Sequence, residues 1–482
     1  MDSGLAAHVD SVLGDGLEAL VRRRHRRRLE RLGWGRAFEP SASLYADGEP
    51  APRPGNELEL LVDGAGFLPR LALELERAEA HVHIAGWYLS TELALLRGGQ
   101  RTVLLDLLGE LAQRVQVRVL LWAGAPLPLF RPSRGDVREV GAALRRLGIR
   151  VGLDSHERPL HCHHEKLVLV DDRVASVGGI DLTTYWGDRF DSNEHPYRSA
   201  TGWHDAAALV RGPLVADVAE HFRFRWQEVT GETLPEPVSS GTVGERELQL
   251  VQTVPERIYR ARPRGEFRIL ETYVRALHAA ERLVYLESQF LWSAELVSIL
   301  AGKLRHPPSD DFRLVVLLPS HPDSGNDDSR GQVGALAAAD QGAGRFLACS
   351  LYARSERGET VPVYVHAKIG IVDDRWLTLG SANLNEHSLF NDTEVNLVSC
   401  EPELARGLRE RLWAEHLELP LEAVRGVDPS SLVDERWRPV ASEQLARRKR
   451  GEPLTHRLVE LPAVSRRARG LLGPLQGLVV DG

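Results

Sequence analysis

Two hydrophobic periods alternate along this chain. Short runs that are continuously apolar or of period two occur at Glu57–Val62, His81–Gly86, Val117–Trp122 and Arg150–Leu153. Between them lie Phe67–Glu79 and Val137–Leu147, whose apolar residues recur three and four apart. The first pattern predicts strands and the second amphipathic helices. Strands alternating with helices imply an α/β architecture in which helices cover a sheet. The same grammar restarts near residue 248, with strand Leu248–Val254, helix Phe267–Ala280, and strands Leu283–Glu287 and Phe312–Leu318. A polar loop, Pro319–Gln332, follows.

The restart is a repeat. Val82-His83-Ile84 aligns with Val284-Tyr285-Leu286, His164-Glu165-Lys166 with His366-Ala367-Lys368, and Gly178-Gly179-Ile180-Asp181 with Gly380-Ser381-Ala382-Asn383, all at one offset. Two copies of about 200 residues indicate a duplication and not a solenoid. A stretch rich in Pro, Ser and Gly at Glu232–Gly244 sets the boundary, giving a first half at 46–235 and a second at 236–416. Residues 1–45 are expected to form a basic helical arm, with Leu17, Leu20, Val21, Leu29 and Leu32 along one face and the runs Arg22–Arg24 and Arg26–Arg28. That arm reads either as solvated or as a grip on anionic lipid. Residues 417–482, with the basic run Arg447–Arg450, have no counterpart in the first half and are expected to pack on the second.

Composition narrows the class. The 482 residues carry 60 Lys+Arg against 68 Asp+Glu, a formal charge of −8, with 43% hydrophobic residues. Those values exclude a disordered, collagenous or coiled-coil chain. Cys162, Cys349 and Cys400 show no CxxC pairing, so a reduced, cytoplasmic setting is expected. The start has no basic and apolar leader, and no apolar run is long enough to span a bilayer, so a soluble protein is expected. The mild acidity weighs against nucleic acid as the main partner.

The chemistry concentrates in H-x-K-x4-D, which occurs twice: His164, Lys166 and Asp171, then His366, Lys368 and Asp373. Residues two apart on a strand share a face, so each His projects beside its Lys. A neutral imidazole can attack phosphorus while an ammonium neutralises a phosphoryl oxygen. The Asp stands seven positions after the His, an odd offset that suits a structural anchor better than a direct role. After each motif comes a small-residue turn ending in Asp181 or Asn383, where backbone can approach a ligand closely. Asn383 can donate to a phosphoryl oxygen; an ionised Asp181 cannot. Beyond each turn a carboxylate starts a strand, Asp205 and Glu394. These two are the candidates for orienting the imidazoles through their second nitrogens.

His163-His164-Glu165-Lys166, the Gly178–Asp181 turn and Trp203-His204-Asp205 resemble the first half of the phospholipase D superfamily. Tyr364–Lys368, Gly380–Asn383 and Asp392-Thr393-Glu394 resemble its second half. Tyr285–Phe290 stands where the family commonly has a Glu-Asn-Gln-Tyr type string, with Ser288 in place of Asn, and Gly86-Trp87 also fits. The likeness covers residues 56–416 and has the flavour of true phospholipases D. It implies a duplicated α/β sandwich, two similar halves packed as a pseudo-dimer around one active site. It further implies a ping-pong mechanism in which His164 forms a phosphohistidine and His366 serves as acid and base. Lys166, Lys368 and Asn383 would hold phosphoryl oxygens, with Ser381, Gly179, Asp181, Glu287 and Gln289 in support, and with neither metal nor other cofactor.

Three activities follow as expectations. The first is a phospholipase D that hydrolyses the distal phosphodiester of glycerophospholipids and transfers the phosphatidyl group to alcohols. The second is a phosphatidyltransferase of the cardiolipin synthase type, and the third a nuclease or nucleic-acid phosphodiesterase. The expected partners are a phospholipid substrate and, peripherally, a membrane, with the chain a monomer and no nucleic acid bound. The loop Ala125–Pro132, with Leu127, Leu129 and Phe130, reads as core or as an interfacial wedge, and Trp186 and Trp292 invite the same choice. Asp323–Asp328 reads as a solvated flap. His156, His161, His163 and His164 beside Cys162 lack metal-like spacing.

Overall fold

The computed structural model describes residues 2–98, 101–127, 130–159, 161–190, 195–198, 201–238, 240–320 and 326–462. Leu129, Asp323, residues 463–482 of the predicted appendage, and the side chains of Leu17, Asp327 and Asp328 lie outside the description.

The first half builds a sheet from β1 (Arg53–Val62), β2 (His81–Gly86), β3 (Gln116–Trp122), β4 (Arg150–Asp154), β5 (Leu167–Val170), β6 (Val174–Gly178) and β7 (Ala206–Arg211). Their spatial order is β1-β7-β6-β5-β2-β3-β4, and only the pairings of β3 with β2 and β4 are parallel. The second half uses β8 (Arg246–Val254), β9 (Leu283–Glu287), β10 (Arg313–Leu317), β11 (Phe346–Arg354), β12 (Ile369–Val372), β13 (Trp376–Gly380) and β14 (Glu394–Ser399). The order is β8-β14-β13-β12-β9-β10-β11, with the same parallel and antiparallel senses. Parallel neighbours need a crossover, and helices Leu104–Leu111, Arg134–Arg146, Ala294–Arg305 and Asn326–Asp340 lie in those connections. The duplication therefore holds at the level of topology, and the fold is mixed α/β as expected.

Strand residues explain how the layers pack. Val117, Val119 and Leu121 point into an outer core with helices Asp63–Glu76 and Arg134–Arg146, while Leu120 points the other way. Likewise Leu314 and Val316 face an outer core of the second half, and Val315 and Leu317 face inward. A strand buried on both faces is continuously apolar, as these runs are. The inward residues of both sheets, with helices Leu214–Thr230 and Pro402–His416, form one shared core. The halves are also stitched through backbone. β1 pairs with β8 at Arg53↔Leu248 and Asn56↔Arg246. The short strand Trp203–His204 runs parallel to Thr360–Val365 in the register Tyr364↔Trp203 and Val365↔His204.

Several expectations shift. The first-half helix begins at Asp63, before Phe67, and the loop expected over Pro319–Gln332 turns helical at Asn326. The N-terminal helix Asp2–Leu32 is not simply solvated: Leu29 is buried in the second half's core, and three of the arginines meet second-half carboxylates. Arg22 and Arg26 pair with Glu295, and Arg28 with Glu256. Arg23, Arg24 and Arg27 remain exposed. The appendage joins the sheet, because Leu458–Glu460 pairs antiparallel with β11. Of its basic run, Arg448 donates to the Tyr352 hydroxyl at 2.6 Å.

The two hairpins β5–β6 and β12–β13 turn through matching aspartate pairs. Asp171 and Asp172 have φ of 54° and 53°, and Asp373 and Asp374 have 52° and 51°. Left-handed backbone at both central positions is the demand of a type I′ turn, and Asp tolerates it better than most residues. Asp171 carboxylate oxygens accept from the amides of Glu79, Ala80 and His81 at 2.7–2.8 Å. Asp373 accepts from Glu281, Arg282 and Leu283 at 2.8 Å. Each aspartate thus ties its hairpin to the start of the neighbouring strand, at the far end of β5 or β12 from the lysine of its motif. Although they belong to the repeated motif, both aspartates sit at turns and hold backbone amides, away from the imidazole pair. Asp373→Ala should cost about 1–3 kcal/mol, since it orphans amides of which only some reach water. A lower thermal unfolding midpoint checks this, whereas a chemical role would appear as lost turnover at an unchanged midpoint.

Candidate active site

Seam backbone pairing positions both imidazoles. His163 bridges to Thr393, and the His164 amide donates to the Thr393 carbonyl at 3.0 Å. The next residue, Glu394, opens β14, and its Oε1 lies 3.0 Å from His164 Nδ1. On the other side of the seam, the amides of His366 and Ala367 donate to the His204 carbonyl at 2.8 and 3.1 Å. The residue after His204 is Asp205, whose Oδ2 lies 2.6 Å from His366 Nδ1. Each motif imidazole is therefore held by the carboxylate of the opposite half. The two rings meet with centroids 6.4 Å apart at an angle of 67°.

The lysines stand beside them. Lys166 Nζ donates to the His164 carbonyl at 2.6 Å and lies 3.3 Å from Asp181 Oδ2. Lys368 Nζ donates to the His366 carbonyl and, at 3.4 Å, to Gln289 Oε1. That oxygen also accepts from Asn383 Nδ2 at 3.3 Å, while Gln289 Nε2 donates to the Tyr364 hydroxyl at 3.0 Å. Asn383 Oδ1 is buried without a hydrogen-bond partner among the described residues. The turn residues shape the carboxylates. A Cβ on Gly179 would lie 2.1 Å from Asp205 Oδ1, so only glycine leaves that carboxylate its place. At the equivalent position Ser381 donates to Glu394 Oε2 at 2.5 Å, and Ser388 donates to Oε1 at 2.6 Å.

Glu287 departs from its expected place among the phosphate-supporting residues. It is fully buried, with Oε2 at 2.9 Å from His204 Nε2 and Oε1 at 3.0 Å from His416 Nε2. It braces the seam and does not belong to the lysine-lined group. Sequence reasoning also missed Arg189, packed against the Trp203 ring, which in turn lies 4.5 Å from the His366 ring. Arg189 itself carries no repeat or spacing signal. The four histidines around Cys162 meet different partners: His156 and His163 meet Asp154, His161 meets His387, and His164 meets Glu394.

Burial sets the electrostatics. His164 and His366 are each 3% exposed and Lys368 1%. Burial pushes the Lys368 ammonium down to about 7, with Asp205 opposing and Lys166 adding to the shift. Burial and then Lys368 hold the His366 imidazole well below its usual range, so the ring is neutral. Burial raises Asp205 to about 6 against Lys368, and Glu394 to about 8 against Lys166. His164, Asp181 and His366 offer ligand atoms within 4.8 Å of one another. Two ammonium groups at the same place repel a cation and favour an anion with several oxygens, so the arrangement suits a phosphate ester.

The chain is similar to known proteins. A family model described as "Cardiolipin synthase, PLD-like domain" matches residues 324–415. Phospholipase D A of Dictyostelium discoideum is 25% identical over 458 residues, a match covering 75% of this chain and 36% of that protein. Cardiolipin synthase A of Pseudomonas putida is 25% identical over 368 residues, covering 75% of this chain and 67% of that protein. The chain thus spans about a third of the amoebal relative's length. Among solved structures, the phosphatidylserine synthase of Haemophilus influenzae Rd KW20 superposes with a TM-score of 0.52 at 12% identity, over 80% of this chain and 89% of that one, which shows the shared fold. The doubled motif, the crossed carboxylates and these matches together support the phospholipase D superfamily as the family of this chain.

Proposed function

We propose that this protein is a phospholipase D that hydrolyses the distal phosphodiester of glycerophospholipids through a phosphohistidine, with transfer to alcohols as the companion reaction. The observation that carries the reading is the pair of neighbouring imidazoles, each flanked by a lysine and braced from the opposite half. His164 Nδ1 lies 3.2 Å from the Ser381 carbonyl, which can only accept, so Nδ1 keeps the proton and Nε2 the reactive lone pair. His164 attacks phosphorus; His366, having taken a proton once the substrate's negative charge offsets Lys368, gives it to the departing alcohol, and the neutral ring left behind takes a proton from the attacking water or second alcohol. Lys166, Lys368 and Asn383 hold the phosphoryl oxygens, and Gln289 positions Lys368 and Asn383.

An apolar rim supports a lipid substrate. Trp186, 48% exposed, and Leu127, 51% exposed, stand at the surface over a buried aromatic cluster of Trp87 and Trp122 with Tyr88, Phe130 and Tyr185 packed against it. Tyr88 and Leu89 line a small internal cavity that Lys166 and Asp181 also reach. Such a patch binds acyl chains or the interfacial region of a bilayer by removing apolar area from water. Among the described residues no helix is long and apolar enough to cross a membrane, so contact with a bilayer is peripheral in this reading. A cardiolipin synthase-type transfer is the second reading, favoured by the family model and the Pseudomonas relative.

Three outcomes test the proposal. Phosphatidylcholine vesicles with ethanol should yield choline and phosphatidylethanol; turnover of phosphatidylglycerol alone to cardiolipin would favour the second reading, and cleavage of DNA without lipid turnover would overturn both. Radiolabelled substrate should trap covalently on His366→Ala, whose turnover falls by about 10²–10⁴-fold, and not on His164→Ala. The free enzyme's kcat/KM should fall as pH rises through about 7, because the Lys368 ammonium is then lost from among Lys166, Asp181, Asp205 and Glu394. A profile that stays flat to about pH 9 would remove Lys368 from the phosphate-binding set.

A further inference from the structure

Behind the His366 carboxylate lies a second cluster of ionisable groups, sealed from solvent and unused by the chemistry above. Asp63, His195, His204 and Glu415 each offer one ligand atom, and all four atoms lie within 4.8 Å of one another. Asp63 is the first residue of its helix and has left-handed backbone, at φ 61°. His204 is the middle residue of Trp203-His204-Asp205. Glu415 comes from the end of helix Pro402–His416 in the second half.

The distances describe a small polyhedron. His195 Nε2 is 2.8 Å from Glu415 Oε1 and 3.7 Å from Asp63 Oδ2. His204 Nδ1 is 3.8 Å from Glu415 Oε1 and 3.0 Å from Asp63 Oδ1. Ligands at about 2.0–2.2 Å from a tetrahedral ion stand about 3.4 Å apart, a spacing that these separations, taken over both oxygens of Asp63, bracket. The two carboxylates each retain an oxygen, Asp63 Oδ2 and Glu415 Oε2, that is buried without a hydrogen-bond partner among the described residues. An orphaned carboxylate oxygen in a dry interior is costly unless a cation meets it. His204 has the bracing that metal-bound imidazoles usually have: its Nε2 faces Glu287 Oε2 at 2.9 Å, which leaves Nδ1 directed at the cluster.

The geometry points to a structural site for one divalent transition ion, Zn²⁺ foremost, bound by Asp63, His195, His204 and Glu415 and clamping the two halves together. The donor set of two imidazoles and two carboxylates suits that class of ion and balances its charge. Three ligands come from the first half and one from the second, so the ion would tie helix Pro402–His416 to the segment carrying Asp205. The Asp205 amide already donates to Asp63 Oδ1 at 3.1 Å, so the clamp sits one residue from the carboxylate that orients His366. The inference is independent of which phosphodiester the protein cleaves.

Elemental analysis of the full, tag-free chain, purified directly and after incubation with Zn²⁺ followed by desalting, provides the test. One equivalent of divalent transition metal per chain is expected, and dialysis against a strong chelator should lower the thermal unfolding midpoint by several degrees, restored by Zn²⁺. His195→Ala and Glu415→Gln should each lose the ion and the chelator effect. The latter keeps the shape of the side chain, so a folding failure of one variant leaves the other informative. His387→Ala, in the separate His161–His387–Asp392 group, should keep both. A wild-type chain that retains no metal after incubation, or a His195→Ala chain that retains the full equivalent, overturns the site.

Discussion

Each imidazole of the pair borrows its orientation from the other half of the molecule, and almost everything else in the structure serves that exchange. The crossing originates in backbone, not in side chains. His163 and His164 pair with Thr393, and Val365 and His366 pair with His204, so Glu394 and Asp205 necessarily fall one residue further on, beside the opposite ring. A buried imidazole with no partner on Nδ1 would have neither a fixed tautomer nor a fixed plane. Neither half can supply that partner to its own histidine. The shared core between the sheets keeps the seam in register, because sliding it by one residue would turn Leu120 or Val315 away from the apolar layer and both carboxylates away from the rings.

Much of this was legible in the sequence because duplication writes the important residues twice. The His, the Lys, the hairpin Asp and the small-residue turn all recur at one offset, and the strands around them are apolar on both faces. Parity even separated roles correctly: His and Lys, two apart, lie together, while Asp171 and Asp373, at the odd position, end up as turn anchors. The pairing of ring with carboxylate was not legible. Asp205 and Glu394 do not share the offset, and the register of the seam decides which ring each reaches. Glu287 was misplaced for a similar reason. It begins a string that resembles the family pattern, but its own side chain meets His204 and His416, whereas Gln289 meets Lys368.

The arginines of the N-terminal helix show the converse, a signal that was present but outweighed by density of charge. Arg22 and Arg26 stand four apart on one helix face and share Glu295, whereas Arg23, Arg24 and Arg27 point outward. A run of basic residues reads as one electrostatic feature only until helical periodicity divides it. What remains outward is half the apparent charge, which weakens any lipid-gripping role and gives the helix a structural one on the second half.

The two copies are no longer interchangeable, and their differences fall where the proposed chemistry needs a division of labour. Asp181 compensates Lys166 directly, whereas Asn383, its counterpart, leaves Lys368 to a neutral amide oxygen and the more distant carboxylates. Burial carries Glu394 to about 8 but Asp205 only to about 6. Near neutral pH, therefore, the carboxylate beside His164 is mostly protonated and offers little stabilisation to an imidazolium, which favours a neutral ring that attacks. The carboxylate beside His366 is mostly ionised and can stabilise the imidazolium that a general acid must pass through. His366 is held neutral in the resting site by burial and by Lys368. An arriving phosphodiester anion offsets that ammonium, so substrate binding itself raises the proton affinity of the ring that must later donate. In the proposed mechanism this asymmetry suits attack by the first copy and proton transfer by the second.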